Sequence, residues 1–312
     1  MRMSSATNAR TMIASLVRLF PAELNVISLQ CPTDKSLIIL TIILNSLCFD
    51  TILRYRLGGM AVDYHVTQQL PIFHYLKLNE MLIENLLNFT LSLNCAHPLF
   101  APEWFKFHFQ TTNKKWESLW AITPHERLRL RCILDAIIAE LYGLNYEDFS
   151  WILKDCAYQT EHLRVIKKTL DPKGFWRVDQ TEPPELRHTV LALKAFSDLK
   201  KMGLEKFCAL NGGDGWMIPE TLTYAVRSDG TVEFDTPDGI TVPVRERLGP
   251  RFLDWQLEGT VEESWAECER HARAILGDEE FERMMNGGDE VSQVMRKAEG
   301  QQNLKGGQMR LF

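Results

Sequence analysis

Apolar residues near the start of the chain form runs that are long enough for helices. Residues 34–57 carry isoleucine, leucine and phenylalanine through most of their length, and Thr33 or Asp34 can cap the start. Gly58 or Gly59 can end the helix, because glycine readily adopts the left-handed backbone of a helix terminus. The pattern predicts one helix between these residues.

The clearest helical pattern begins at Thr123. This residue, Pro124 and Glu126 combine an N-cap, a proline at the first helical position and a capping box. The apolar stripe that follows consists of Ile133, Leu134, Ile137, Ile138 and Leu141. Gly143 can end this helix and Asn145 can cap a second one. Together the two helices are predicted to form a helical hairpin.

Weaker patterns cover the rest of the N-terminal half. Residues 8–29 contain β-prone runs that predict one or two short strands, and residues 60–73 are predicted to be extended. Residues 76–94 have a helical pattern. Residues 102–110 alternate aromatic and polar side chains, which predicts a strand or an irregular aromatic loop.

The C-terminal half predicts further helices and one β-hairpin. A helical stripe consists of Leu186, Val190, Leu193, Phe196 and Leu199. Two β-prone runs flank Asp238-Gly239, a hairpin signal, and Thr260 with Glu263 forms a second capping box. The predicted fold class is α+β and predominantly helical, with a small mixed N-terminal region, a central helical hairpin and C-terminal helices.

Turn residues become frequent after residue 168, which indicates a domain boundary. We therefore divide the chain into a region 1–165 with the helical hairpin, a mostly helical extension 166–277 and a charged, flexible tail 278–312. This division is an expectation from composition and turn signals.

Charge and cysteine usage narrow the function classes. Residues 1–200 hold 22 Lys/Arg against 20 Asp/Glu (+2), residues 201–312 hold 13 against 21 (−8), and the whole chain carries −6. Because nucleic acid attracts Lys and Arg, contact with DNA is expected in the first two-thirds of the chain. The seven cysteines contain no C-x-x-C pair, which predicts reduced, buried thiols rather than disulfides or a zinc site.

Catalytic motifs are missing from the sequence. It contains no Gly-rich dinucleotide loop, P-loop, His-Glu-x-x-His zinc motif or serine elbow, and the eight histidines are scattered. The apolar run 37–49 is shorter than the roughly 20 residues that a membrane span needs. No apolar signal-peptide region follows the first charged residues. We expect a cytoplasmic protein with neither a metal site nor a catalytic site of its own.

Several stretches resemble one protein family. The first three read TNARTMIASLV (7–17), LNSLCFDTILRYRLGGMAVDYHVTQQLPIF (44–73) and RLRLRCILDAIIAELYGLNYEDFSWIL (127–153). In this order they resemble the C-terminal, target-recognition part of large adenine-specific DNA methyltransferases of type IIG restriction–modification and related phage-defence systems. The extension of the largest members, including DISARM-like methylases, is similar to DPKGFWRVDQTEPPELRHTVLALKAF (171–196), GWMIPETL (215–222) and LGPRFLDWQLEGTVEESWAECERHA (248–272).

The family's catalytic motifs are absent from this chain. Neither the Asn/Asp-Pro-Pro-Tyr/Phe motif, which holds the adenine amino group, nor the Gly-rich loop for S-adenosylmethionine occurs, and DPKGF and EPPEL do not match. The resemblance therefore implies a specificity fragment that recognises double-stranded DNA and binds no cofactor itself. A separate catalytic methyltransferase chain or domain would bind S-adenosylmethionine.

The resemblance places a DNA-contacting surface after the first long helix. Its residues are Arg54, Arg56, Gly58, Gly59, Tyr64, Gln68 and Gln69. The arginines would contact phosphates, the glycines would let the backbone approach DNA, and the tyrosine and glutamines would read bases. The alternative is that the arginines and glycines only complete the helix terminus.

The last five residues, QMRLF, resemble the peptide with which bacterial proteins bind the sliding clamp. Gln308, Met309, Leu311 and Phe312 would make the clamp contacts, with the Leu-Phe pair in an apolar pocket. The alternative is an ordinary tail that ends in apolar residues. For the whole chain, the rival hypothesis is a non-catalytic scaffold that docks onto a methylase or helicase partner, with the clamp as a further tether, and that reads no DNA.

Overall fold

The fold is known from a computed structural model, which describes residues 8–17, 28–29, 31–57, 62, 64–67, 69–73, 78–108, 112–153, 174–227 and 231–286. The helices are α1 (Asp34–Asn45), α2 (Leu47–Arg56), α3 (Tyr64–Thr67), α4 (Glu80–Asn94), α5 (Ala101–His108), α6 (Pro124–Leu141), α7 (Tyr146–Ile152), α8 (His188–Met202), α9 (Leu204–Gly213), α10 (Val261–Leu276) and α11 (Asp278–Asn286). The strands are β1 (Thr221–Val226), β2 (Val232–Phe234) and β3 (Ile240–Pro243). The predicted fold class, α+β and predominantly helical, is confirmed.

Helix α6 is the centre of the core. It lies along α8, with α2 and α4 as further neighbours, and α7 also packs on α8. Ile133, Ile137 and Ile138 are completely buried. The predicted cap Thr123 is confirmed, since its hydroxyl accepts a hydrogen bond from the Glu126 N–H group. Packing between α6 and α8 joins residues on both sides of the predicted boundary near residue 165.

The single helix predicted over residues 34–57 is wrong, because it breaks at Ser46. Helices α1 and α2 meet there at an angle of 68°. The Ser46 hydroxyl donates to the carbonyl of Ile43 (2.8 Å) and accepts from the N–H group of Phe49 (3.1 Å). The N–H group of Leu47 donates to Oδ1 of Asp135 (2.7 Å), so the start of α2 is satisfied by α6. A tertiary hydrogen bond therefore stabilises the break.

In the part of the chain that the structure describes, no helix by itself has the length and apolar character for crossing a membrane; α1 and α2 meet these criteria only when taken together across their bend.

The three strands form one antiparallel sheet in the order β2-β1-β3. Tyr224 of β1 is opposite Phe234 of β2 on one side and Ile240 of β3 on the other. The hairpin predicted around Asp238-Gly239 is therefore wrong, since β2 and β3 pair with β1 and not with each other. Sequence patterns had not indicated β1, which supplies the hydrogen bonds of both edge strands.

Further local predictions differ from the structure. The aromatic alternation over 102–110 lies mostly in α5, where Trp104 and Phe105 are buried and Phe105 contacts Trp265 of α10 at 6.3 Å between ring centroids. The extended segment predicted over 60–73 contains α3 in its described part. Of the one or two strands predicted over residues 8–29, none forms in residues 8–17, and residues 18–27 lie outside the described residues. In α5, contacts with distant residues outweigh the local pattern.

Candidate functional site

The residues predicted to contact DNA are only partly described. Gly58, Gly59 and Gln68 lie outside the described residues, as do the four residues of the clamp-binding prediction, Gln308, Met309, Leu311 and Phe312. Tyr64 is the first residue of α3. Arg56 and Gln69 are exposed. The structure therefore leaves both predictions as predictions.

Arg54 has an internal role in this fold. Its Nε donates to Oδ1 of the buried Asp50 at 2.6 Å, and its Nη2 donates to the carbonyl of Ala9 at 2.7 Å. The guanidinium carbon lies 4.1 Å from the centre of the Phe175 ring, within cation–π range. A phosphate contact by Arg54 would have to replace these interactions. Exposed Arg56 is better placed for such a contact at this end of α2.

The strongest surface feature lies elsewhere, in a short 3₁₀ turn before α10. We call residues 253–257 the Trp255 turn. Leu253, Trp255 and Leu257 are 38%, 46% and 55% exposed, while Gln256 between them is 1% exposed. Three large apolar side chains thus face solvent, and the amide side chain faces the core. Several large apolar side chains exposed on one short segment are a candidate protein-interaction surface.

Gln256 fixes the Trp255 turn to the protein. Its Nε2 donates to the backbone carbonyls of Glu117 (2.7 Å) and Trp120 (2.9 Å). Its Oε1 accepts from the N–H group of Leu253 at 3.0 Å. One buried side chain therefore attaches the turn to the backbone at Glu117 and Trp120. A preformed apolar surface loses little conformational entropy when a partner binds.

Trp255 packs against two tryptophans of the preceding segment, Trp120 and, through it, Trp116. Trp255 contacts Trp120 edge to face at 6.3 Å between centroids, and Trp120 contacts Trp116 in the same way at 4.9 Å. The backbone N–H group of Trp116 donates to the Ser264 hydroxyl at 2.8 Å, which connects these tryptophans to α10. Among the described residues, neither Nε1 of Trp116 nor Nε1 of Trp120 has a hydrogen-bond acceptor. In edge-to-face pairs an aromatic face can act as a weak acceptor.

A buried ionic network fixes the chain just before the turn. Arg251 Nε and Arg129 Nε both donate to Oε2 of Glu126, at 2.8 and 2.9 Å. Arg129 also donates to the carbonyl of Trp216 at 2.9 Å, and Thr123 donates to the carbonyl of Arg251 at 2.7 Å. Burial by itself raises the pKa of Glu126, but the two guanidinium groups outweigh burial and lower it overall. The network connects α6 to the Trp255 turn.

The rim of the Trp255 turn is acidic. Residues 252–263 contain four carboxylates and neither Lys nor Arg. The carboxylates are those of Asp254, Glu258, Glu262 and Glu263, all on exposed residues. Two cations lie close to this segment: Lys115, whose Nζ donates to the backbone carbonyl of Glu258 at 3.0 Å, and Arg251, which pairs with Glu126 and Asp214. The surface therefore combines exposed apolar groups with negative charge.

Most cysteines in the described part of the chain are buried. Burial raises the pKa of the thiols of Cys48, Cys132, Cys208 and Cys268. Nε2 of His188 lies 2.9 Å from Oδ2 of Asp135 inside the core. No group of three or more His, Cys, Asp or Glu side chains among the described residues could hold a metal ion.

Sequence reasoning did not find the Trp255 turn. The stretch LDWQL alternates large apolar and polar residues, which does not show by itself which set is buried. In the structure Gln256 is buried, because its side chain donates to the backbone carbonyls of Glu117 and Trp120. The turn-forming residues on both sides of this stretch, Gly249, Pro250 and Gly259, are the sequence feature that indicates a surface loop.

Comparison of the chain with protein-family models, with curated proteins and with solved structures finds no match.

Proposed function

We propose that this chain is a non-catalytic docking subunit that binds another protein through the Trp255 turn. The observation that carries the proposal is the orientation of the turn, with Gln256 buried and Leu253, Trp255 and Leu257 exposed. Each apolar Å² left in water costs roughly 25 cal/mol, so burial of these side chains by a partner would stabilise a complex. Tryptophan is also among the residues that contribute most to protein interfaces.

The sequence resemblance supports a partner class. The Trp255 turn lies within residues 248–272, which resemble the extension of large adenine-specific methyltransferases. We therefore propose a cytoplasmic DNA-modification system in which a methyltransferase or helicase chain is the partner. The methyltransferase chain, and not this one, would hold S-adenosylmethionine.

Replacing Trp255 by alanine is expected to remove the partner from affinity purifications of the full chain. Loss of a central interface tryptophan typically costs at least about 2 kcal/mol, which corresponds to roughly 30-fold in affinity. Quantitative mass spectrometry of proteins retained by wild type and variant, followed by titration with the purified partner, measures the effect. Thermal unfolding is expected to change little, because Trp255 is 46% exposed.

Trp151→Ala is the matched control for Trp255→Ala. Trp151 in α7 is 54% exposed and lies in a different part of the chain. A second pair is Leu257→Ala, at 55% exposure, with Leu99→Ala, at 58%, as its control. If Trp255→Ala and Trp151→Ala retain the same proteins in the same amounts as wild type, the docking proposal is wrong.

DNA recognition is the second candidate function, and the surface at the end of α2 favours it. Tyr55 and Arg56 are both exposed there. An arginine and an aromatic side chain are common contacts to phosphates and bases. This candidate follows the methyltransferase resemblance, with the chain as a specificity fragment for double-stranded DNA.

Arg56→Ala is expected to weaken binding to duplex DNA and to lower the slope of log affinity against log salt by about 1, as for one lost phosphate contact. Fluorescence anisotropy with labelled duplexes at several salt concentrations, with and without the partner chain, measures both quantities. Lys206→Ala, which removes an exposed cation of α9, is the control. Binding that is absent, or that Arg56→Ala and Lys206→Ala affect equally, contradicts a role for this surface.

A further inference from the structure

We propose that the partner segment on the Trp255 turn is an amphipathic helix with Lys and Arg beside its apolar stripe. This inference rests on the proposed docking function and adds the chemistry of the partner. Its basis is that three exposed apolar side chains and an acidic rim occur together on one turn, which Gln256 attaches to the rest of the protein.

The rim carboxylates are available to a partner. Among the described residues, none forms an ion pair with Asp254, Glu258 or Glu262. Lys115 approaches only the backbone carbonyl of Glu258. Glu263 differs, because its carboxylate accepts from the N–H group of Thr260 at 2.9 Å and completes a capping box. The rim therefore presents three unpaired negative charges that cations of a partner can neutralise.

The apolar part of the surface fits a helix. Leu253, Trp255 and Leu257 extend from one short turn, and Trp255 lies between the two leucines in the sequence. An amphipathic helix offers apolar side chains at every third or fourth position, which can pack around a single projecting tryptophan. Lys and Arg at the edges of that stripe would face Asp254 and Glu258.

Charge disfavours two other occupants. Nucleic acid is polyanionic and would be repelled by the rim. A second copy of this chain that docked symmetrically would bring the same carboxylates, those of Asp254 and Glu258, close to each other. A basic, apolar peptide segment satisfies both features of the surface.

A pair of synthetic peptides tests the inference. One is a helix-forming peptide of leucine and lysine, about 18 residues long, and the other has glutamate in place of every lysine. Fluorescence anisotropy measures their binding to the full wild-type chain, to Trp255→Ala and to the double variant Asp254→Lys/Glu258→Lys. Trp151→Ala is the control for a general effect of losing an exposed tryptophan.

The lysine peptide is expected to bind wild type and Trp151→Ala alike, and at least about tenfold more weakly to Trp255→Ala, which keeps every charge. The double variant is expected to weaken the lysine peptide and to strengthen the glutamate peptide. Higher salt is expected to weaken the lysine peptide. Equal binding of the lysine peptide to wild type and Trp255→Ala would show attraction to the acidic protein in general, and it would overturn the inference.

Two further results separate this inference from the docking function. If Trp255→Ala loses a cellular partner but the double variant retains it fully, the docking function stands and a basic partner segment is ruled out. If sedimentation shows that the wild-type chain dimerises and Trp255→Ala does not, the occupant is a second copy and the inference is again wrong. If Trp255→Ala loses neither partner nor peptide, both proposals fail.

Discussion

Replacing Asp50 by alanine is expected to lower the free energy of unfolding by about 3–5 kcal/mol, the usual range for removing one partner of a buried ion pair. The Asp50 side chain is completely buried, and its Oδ2 accepts from the N–H groups of Thr11 (2.8 Å) and Met12 (3.1 Å). It also pairs with Arg10 at 3.1 Å and Arg54 at 2.6 Å. Alanine would leave two cations and two backbone donors without this acceptor. The segment around Thr11 would then lose its attachment to α2.

Urea unfolding followed by circular dichroism at neutral pH measures this loss. Asp34→Ala is the control, since the Asp34 side chain is 52% exposed and pairs with Lys106 at 3.1 Å. An exposed pair of this kind contributes less than about 1 kcal/mol. Equal losses for Asp50→Ala and Asp34→Ala would mean that burial of the Asp50 carboxylate adds nothing to stability.

Asp50 also bears on the DNA hypothesis. The sequence places Arg54 next to a helix end, where a cation can equally well contact phosphate or complete the terminus. Its guanidinium group donates to Asp50, one turn earlier in α2, and to the carbonyl of Ala9, which lies on a segment that the periodic pattern did not connect with α2. The choice between an internal and an external role therefore depends on tertiary contacts, which one sequence does not show.

Local signals predicted several elements well. Thr123 and Thr260 cap α6 and α10, and Asn145 caps α7, as expected. In each case the cap and the N–H group that it satisfies are within three residues of each other, so the physical cause is visible in a short stretch. Helix existence and helix starts were consequently the most predictable part of this fold.

Features that depend on distant residues were not predictable in this way. The break at Ser46 is stabilised by Asp135, which is 88 residues away from Leu47 in the chain. The orientation of the Trp255 turn depends on carbonyl groups of Glu117 and Trp120. The alternation of apolar and polar residues in LDWQL does not show by itself which set is buried. The candidate site was missed for this physical reason.

Replacing Glu126 by alanine is the second change with a large expected effect, again about 3–5 kcal/mol at neutral pH. Glu126 and Arg129 are almost completely buried, and Arg251 is partly buried. Both guanidinium groups donate to the same carboxylate oxygen. Alanine would leave these cations facing each other without their shared anion. Arg251 lies two residues before the Trp255 turn. Partner binding is therefore expected to weaken as well.

Glu267→Ala is the matched control for Glu126→Ala. Glu267 also pairs with an arginine, Arg270, on the same helix, but both side chains are well exposed. Solvent screening limits such a pair to less than about 1 kcal/mol. Both variants therefore remove a glutamate carboxylate, Glu126→Ala from a buried ion pair and Glu267→Ala from an exposed one.

The effect of Glu126→Ala is expected to depend on pH. Burial raises the pKa of Glu126, yet Arg129 and Arg251 lower it further, so its pKa in the folded protein lies below the ordinary value of about 4.3. A lowered pKa means that the ion pairs stabilise the fold above the ordinary pKa, and that this contribution is lost as the pH falls through the folded value. Urea unfolding of wild type and Glu126→Ala between neutral and acidic pH should therefore show two curves that converge on acidification. A difference that stays constant down to the acid transition would show that alanine acts by loss of packing, and that the charge of Glu126 does not stabilise the connection between α6 and the Trp255 turn.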